Sequence, residues 1–502
     1  MCRNTNVALV SLGLLLGTAG CDSFLTGDKL SQNPNLPTVA SIQQLFVGVQ
    51  AGQFAFQEGT VAMMMCQWVQ ACSGGNGRFV QQAAQYVFGE GSNIAANGGD
   101  WISVYAGGGL VDIKQVEALA QATGDSSWLG VAKIWEAFTI GTTSAMWGDV
   151  PYSEAISGNT HPALDQRFVI LGSLQTVLDQ AIAELTNGSG SGPGTADLVF
   201  GNKAAAAQKA AWIKVAWTLK ARYYMETAES LGTTAYAAAA AAAANGISDA
   251  TGAGDFSSFH TTATSERNMW AQFQTSSGFG TDLEAGKALV DFMNTQSDPR
   301  RAAYFCPNAD TTGGLRHYGG DDFNNPPGAG TVSLFVCQPA RFANNARVPY
   351  VTYAENELIL AEANATAKVN GGAGGDDAVA LTHLNNARAF ANAKFPPPSN
   401  DGSVALPVLT GLTGAPLFDA IMNEKWIALF QNMESISDYR RTCIPDITPS
   451  HNTQGFTKVP GRLFYPQNER NVNTNIPDPS AQLANHGFRN QGDLDNCTRT
   501  AP

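Results

Sequence analysis

Charge is scarce in this chain. Asp, Glu, Lys and Arg supply 14% of its 502 residues, and 29 basic side chains face 42 acidic ones, for a net charge of −13. Nucleic-acid binding needs a basic footprint, as does docking on anionic lipid by charge, so the composition argues against both. Catalytic signatures are missing too. The six histidines, at 161, 260, 317, 383, 451 and 486, never stand at i and i+4, which rules out an H-E-x-x-H zinc helix. The chain has no G-x-S-x-G elbow, no G-x-x-x-x-G-K-[ST] phosphate loop and no G-x-G-x-x-G dinucleotide turn. It has no C-x-x-C pair, which leaves zinc ribbons and thioredoxin chemistry unsupported. Dispersed carboxylate pairs leave no local motif, so a secreted hydrolase of that kind stands as the alternative to a binding protein.

What is present is glycine, at 52 residues, with abundant Asn, Gln, Ser and Thr, a surface kept soluble by amides and hydroxyls as suits a secreted protein. Residues 1–21 read MCRNTNVALVSLGLLLGTAGC: one arginine, an apolar run from Val7 to Leu16, then small residues up to Cys21. That is an export signal, too short to span a bilayer as a mature helix. Thr18-Ala19-Gly20-Cys21 resembles the lipobox of bacterial lipoproteins, with Thr18 in place of the usual leucine; an ordinary secretory signal cleaved nearby is the alternative. The expectation is a signal over 1–20, lipid on Cys21, a tether over 21–38 containing Pro34 and Pro37, and one folded domain over 39–502. No later stretch reads as a membrane span. Cys66, Cys72, Cys306, Cys337, Cys443 and Cys497 then remain at an oxidising address. The expected pairing is nearest in sequence: Cys66 with Cys72, Cys306 with Cys337, Cys443 with Cys497.

Apolar residues recur at helical spacing over 39–57, 101–122, 128–146, 166–187, 205–230, 353–363 and 376–393, with shorter helices through Met63 and Trp68, over the alanines 237–244 and near 281–294. In 205–230 the polar edge is Lys214, Thr218 and Arg222. Glycine- and amide-rich stretches near 73–100 and 247–348 read as long loops. A last helix carries Phe418, Met422, Trp426, Leu429 and Met433 on one face. Pro445, Pro449, Pro460 and Pro466 follow, which predicts extended or turn structure for Asp438–Arg441 and for 461–470.

The run FDAIMNEKWIALFQNMESISDYRRTCIPDI, from Phe418, with the later PGRLFYPQNERNVN, resembles the C-terminal signature of the SusD/RagB family. These are surface lipoproteins that bind nutrients beside an outer-membrane TonB-dependent transporter. NPNLPTVAS at 33–41, WGDVPYSEA at 147–155, NTQSDPRRAAYF at 294–305 and the helix pair at 353–363 and 376–393 resemble further parts of the family, in order. The resemblance implies a mostly α fold of tetratricopeptide-like stacked helix pairs with long irregular segments packed on one side. The sequence itself shows no clean 34-residue repeat. It further implies a nutrient binder rather than an enzyme, without metal or cofactor, outward-facing on the outer membrane, with a TonB-dependent (SusC-like) transporter as partner. The expected ligand is an oligosaccharide, with a peptide or other organic nutrient as the alternative.

Aromatic residues recur in the amide-rich loops: Phe79, Tyr86 and Phe88, with Trp101 and Tyr105 at the end of the first, and Phe256, Phe259, Trp270, Phe273 and Phe279 in the second. Sugar faces stack on rings while amides and carboxylates bind hydroxyls, so the mixture suits a neutral glycan. If the segments 73–105 and 253–281 converge on one face, Trp101 and Trp270 are the expected stacking platforms, with Arg78, Asn97, Asn268 and Gln272 as polar contacts; Trp68, among methionines, is expected in the core. Glu355, Glu357, Glu362, Glu424, Arg388, Arg440 and Arg441 read as ion pairs and caps rather than as acid and base. Asp321-Asp322 and Asp493-Leu-Asp495 read as solvated loop acids, lacking the spacing of an EF-hand.

Overall fold

The computed structural model describes residues 40–75, 83–86, 99–276, 278–322, 330–368, 375–447 and 459–484. The expected signal, Cys21 and the tether lie outside them. Helices begin where the chain supplies caps. Ser41 and Gln44 form a reciprocal capping box at α1 (Ile42–Glu58). α2 (Thr60–Trp68) follows after Gly59. The expected helix over 101–122 is two, α3 (Gly99–Tyr105) and α4 (Leu110–Thr123). Three glycines divide them: Gly107 and Gly108 take positive φ, and a Cβ on Gly108 would lie 2.7 Å from the Gly48 carbonyl of α1. Asp125 caps α5 (Ser126–Trp147), which ends at Gly148 with φ 85°.

Next come α6 (Arg167–Asn187), α7 (Ala205–Met225) and α8 (Thr233–Ala243). After a long excursion the chain resumes with α9 (Met269–Thr275), α10 (Lys287–Thr295), α11 (Tyr353–Asn364), α12 (Asp377–Lys394), α13 (Gly414–Ala428) and α14 (Glu434–Thr442). The scaffold is a continuous stack in which α1 packs on α4, then α5, α6, α7, α8, α11 and α12 each pack on the one before, and α13 closes on α11 and α12. The alanines of α8 serve this stacking: Ala235, Ala239, Ala242 and Ala243 are buried between α7 and α11, against Met225 and Ile359.

The polar edge expected on α7 is largely interior. Thr218 donates to Asn356 at 3.0 Å, and Arg222 pairs with Glu355 at 2.6 Å, both partners on α11. The expectation that no later stretch could span a membrane is also corrected, since α6 is long and apolar enough by length and composition. Its place is in the stack: Ile170, Leu174, Leu178 and Ala181 are buried, and Arg167 pairs with Glu226.

Between α8 and α11 the chain leaves the scaffold, as the 247–348 loop reading expected. Two strand pairs close it down. β2 (Phe256–Ser257) pairs antiparallel with β4 (Pro349–Val351), joining the two ends of the excursion, and β1 (Cys72–Gly74) pairs antiparallel with β3 (Leu283–Ala285), with Cys72 opposite Ala285. Phe256 sits in an aromatic cluster with Trp135, Phe138, Trp212 and Tyr350.

The C-terminal signature folds differently from expectation in one respect. Asp438–Arg441, read as extended or turn, lie within the helix α14, and Gln467–Val472, in the second such stretch, is a short helix as well. The prolines lie beyond α14 and do not reach into it, and its residues are all buried. Arg440 donates to the Ala145 and Gly461 carbonyls at 2.7 and 2.9 Å, Trp147 to Phe464, and Trp426 to Val69, so this stretch is bound across α2 and α5.

Candidate ligand cleft

A cavity of about 300 Å³ opens where α2, β1, β3 and α10 meet. Several backbone contacts build it. The Cys66–Cys72 disulfide closes the end of α2 onto β1. Gly286 N–H donates to the Ala71 carbonyl at 3.1 Å. A Cβ at Gly286 would lie 2.3 Å from the Gln70 carbonyl, so only glycine permits that approach. Asp321 is strapped across the start of α10, its N–H donating to the Ala285 carbonyl at 2.8 Å and its carbonyl accepting from Lys287 N–H at 2.9 Å.

The walls are polar. Ser73 donates its hydroxyl to Asp321 at 2.8 Å. Tyr86, with φ 55°, accepts from Gln70 Nε2 at 3.1 Å and donates to the Trp68 carbonyl; burial pushes its phenol up. Gln67 donates to the Met63 carbonyl at 3.2 Å, while its buried Oε1 has no hydrogen-bond partner among the described residues. Lys287 pairs with Asp291 one turn along α10. Asp322 and Asp446 complete the acidic lining. Beside it, burial and then the Asp321 charge push Glu284 up to about 7.

The indoles named from sequence are elsewhere. Trp101 is 3% exposed, its ring packed at 5.4 Å on Trp147, 5.3 Å on Tyr105 and 5.8 Å on Tyr465. Trp270 is 0% exposed and meets Phe342 edge-on at 5.7 Å. Their expected role as exposed platforms is therefore corrected. A large ring in a polar segment is the residue whose burial anchors that segment, and nothing in the neighbouring sequence marks the face it takes. Asn268 is buried as the N-cap of α9, accepting from Trp270 and Ala271 N–H, and Gln272 donates to the Arg267 carbonyl. Arg78 and Asn97 lie outside the described residues. β1 pairs with β3, which lies just beyond the second of the segments 73–105 and 253–281, and Trp101 and Trp270 are not brought together there. Trp68 is in the core, 0% exposed.

Among the cysteines, Cys66–Cys72 and Cys306–Cys337 are bonded; Cys443 is disulfide-bonded too, and Cys497 lies outside the described residues. The helix acids and bases form ion pairs, Glu362 with Arg441 and Lys425, Glu424 with Arg388 and Arg300, and Glu355 with Arg222, while Glu357 lies at hydrogen-bond distance, 2.8 Å, from His383 Nδ1. The cleft residues Gln67, Gln70, Lys287 and Asp446 were not singled out from sequence. Their signal is spatial, because they come from three separated segments.

Residues 34–466 match the SusD-like family model described as "Starch-binding associating with outer membrane". The chain belongs to the SusD-like family. Solved SusD-like structures agree in fold. A chitin-binding protein, 21% identical, matches over 90% of this chain and 100% of its own, with a TM-score of 0.69. A SusD homologue from Bacteroides fragilis, 17% identical, matches over 92% and 99%, with a TM-score of 0.70. A chitin-binding SusD homologue from Flavobacterium johnsoniae, 17% identical, matches over 91% and 99%, with a TM-score of 0.69. No curated protein sequence matches the chain. The mostly helical, tetratricopeptide-type architecture is thus that of the SusD-like proteins. Membership makes this a nutrient-binding protein associated with the outer membrane and its uptake machinery, and SusD-like binding proteins are not enzymes.

Proposed function

We propose that this SusD-like chain captures an oligosaccharide at the cell surface, in the cleft between α2, β1 and α10, and delivers it to a TonB-dependent (SusC-like) transporter. The observation that carries the reading is the polar cleft itself. Its volume of about 300 Å³ is at the lower end of ligand pockets, enough for about one or two sugar rings, so it grips part of a chain and leaves the remainder outside. Carboxylates and amides along the wall accept hydrogen bonds from hydroxyls, and Ser73 and Tyr86 add a hydroxyl and a ring. The family's starch-binding description and the two chitin-binding structures support a glycan over a peptide. In this reading residues 1–20 are removed, lipid on Cys21 and the tether 21–38 hold the outward-facing protein, and 39–502 act as one domain.

A glycan array probed with the purified chain tests this. Retention of glycans is expected, and Asp322→Ala with Asp446→Ala should weaken the best ligand about tenfold, roughly 1.4 kcal/mol. Retention with undiminished affinity in that variant would place the site elsewhere on the protein.

A further inference from the structure

A second, smaller pocket shares no lining residue with the cleft and lies between the end of α12, α13, the start of α11 and the segment around Arg341. Its volume of about 40 Å³ has room for about three waters. Ala387, Phe390 and Ala391 of α12, Ala354 of α11 and Ala428 of α13 give it apolar walls. Its charged groups are out of balance. Arg300 and Arg388 are matched by Asp298 and Glu424, two cations against two acids. Arg341 and Lys394 have only Asp255, whose Oδ2 stands 3.9 Å from the Lys394 ammonium while its Oδ1 accepts from Tyr353 N–H at 2.8 Å. Arg341, 8% exposed, lies over the Tyr304 ring and donates through Nη2 to the Phe430 carbonyl at 2.8 Å. Its Nη1 is left without an acceptor among the described residues and, unlike Nε, is not enclosed. Burial pulls both cations down, Arg341 below the ordinary guanidinium value and Lys394 below that of a lysine, where repulsion from Arg341 works against the attraction of Asp255. Arg300 and Arg441 are different: burial opposes their charge too, yet their carboxylates hold them well above the ordinary value. A buried cation short of a counter-ion is costly, and a bound anion relieves that cost.

We propose that this pocket binds a small carboxylate, either a free short-chain acid or the carboxylate of a uronic sugar, between the Arg341 guanidinium and the Lys394 ammonium. The site is separate from the cleft, and the inference does not rest on the oligosaccharide reading. One surplus positive charge matches a monoanion, whereas a sulfate or phosphate dianion would bring excess negative charge beside Asp255 and Glu424. Guanidinium and ammonium both give charge-assisted hydrogen bonds to carboxylate oxygens. The alanines and Phe390 cover an alkyl stem of one or two carbons, which chloride lacks. The volume admits a carboxylate on a short stem but not a sugar ring. A uronic sugar would therefore enter carboxylate first and keep its ring at the mouth beside Lys394, whose side chain is 42% exposed.

The test is calorimetric titration of the full chain, purified from membranes, with sodium propionate and sodium glucuronate, against sodium sulfate at equal ionic strength. One carboxylate per chain is expected, with sulfate at least about tenfold weaker. Lys394→Met, at an exposed position, is expected to weaken carboxylate binding about tenfold without moving the thermal midpoint of the unliganded protein, and Arg341→Met to abolish binding. Propionate alone assigns a free acid, and glucuronate, alone or in competition with propionate, assigns the carboxylate of a sugar; each supports the pocket. No saturable binding of either carboxylate, or affinity no better than that of sulfate, would overturn the inference. Binding that persists undiminished in Lys394→Met and Arg341→Met, or in Lys394→Met alone where the other variant does not fold, would overturn the assignment to this pocket. Glycan capture in the cleft is untouched by either result, since the two sites share no residue.

Discussion

Buried charge decides much at the scale of single residues. Glu362, on α11, accepts from Arg441 at 2.8 and 3.1 Å and from Lys425 at 2.9 Å, and Asp438 shares both cations. Burial alone would raise the Glu362 carboxyl, but the guanidinium and ammonium outweigh it and pull the group down from 4.5 to about 2. The stabilisation is therefore complete above about pH 4.5 and is lost as pH falls towards 2. Glu362→Gln should cost about 3–5 kcal/mol at neutral pH, because two cations lose a buried partner. Its melting temperature should also fall less than the wild type's between pH 5 and pH 3 in thermal scans. An equal acid sensitivity would show that other carboxylates carry it. The pairing of such residues was legible in kind, since acids and arginines on crowded helices seldom stay alone; which arginine meets which acid depends on helix packing that no local spacing encodes. The same limit misplaced Trp270. Burial against Phe342 predicts a loss of about 3–5 kcal/mol for Trp270→Ala, read by chemical denaturation, with glycan affinity unchanged wherever the variant is folded.

Elements were most legible where a stripe repeats over several turns. Phe418, Met422 and Trp426 identified α13, and all three are buried. The α14 segment escaped because its signal is short and polar, with Glu434, Asp438, Arg440 and Arg441 in nine residues, and partners from α5, α7, α11 and α13 make burying those charges tolerable. The glycine break between α3 and α4 was hidden for the opposite reason, because apolar periodicity runs on both sides of it. Cross-links between elements separate stability from function. Cys66–Cys72 closes a span of 6 residues and should contribute about 2 kcal/mol through the unfolded chain, whereas Cys306–Cys337 spans 31 and should contribute about 3.5 kcal/mol. Only the first borders the cleft. Replacing Cys66 and Cys72 by serine should thus lower the melting temperature less than replacing Cys306 and Cys337, yet weaken glycan binding more. The reverse ranking in binding would detach the cleft from ligand capture.

For the whole molecule, ordered motifs from residue 33 to 473 pointed to the architecture, while the order of the stack and the β1–β3 closure that forms the cleft came only with the structure. The cleft gathers Gln67, Tyr86, Lys287, Asp321 and Asp446, residues drawn from distant parts of the chain, so no window of sequence contains it. The same packing bears on how the protein works at a membrane. Among the described residues α6 alone has the length and apolarity of a span, and it is committed to the stack through Ile170, Leu174 and Leu178 and to a buried ion pair through Arg167. In the proposed reading attachment falls to lipid on Cys21, where two or more acyl chains hold far more firmly than one, and passage of the ligand falls to the transporter. Cys21→Ala should move the protein from the membrane to the soluble fraction while leaving glycan affinity unchanged, since the cleft lies in the folded body. The wild type, extracted in mild detergent, should co-purify with a TonB-dependent barrel. Membrane attachment that persists in Cys21→Ala would refute the anchor, and repeated recovery of the wild type as a lone monomer would refute the partnership, each without touching the other.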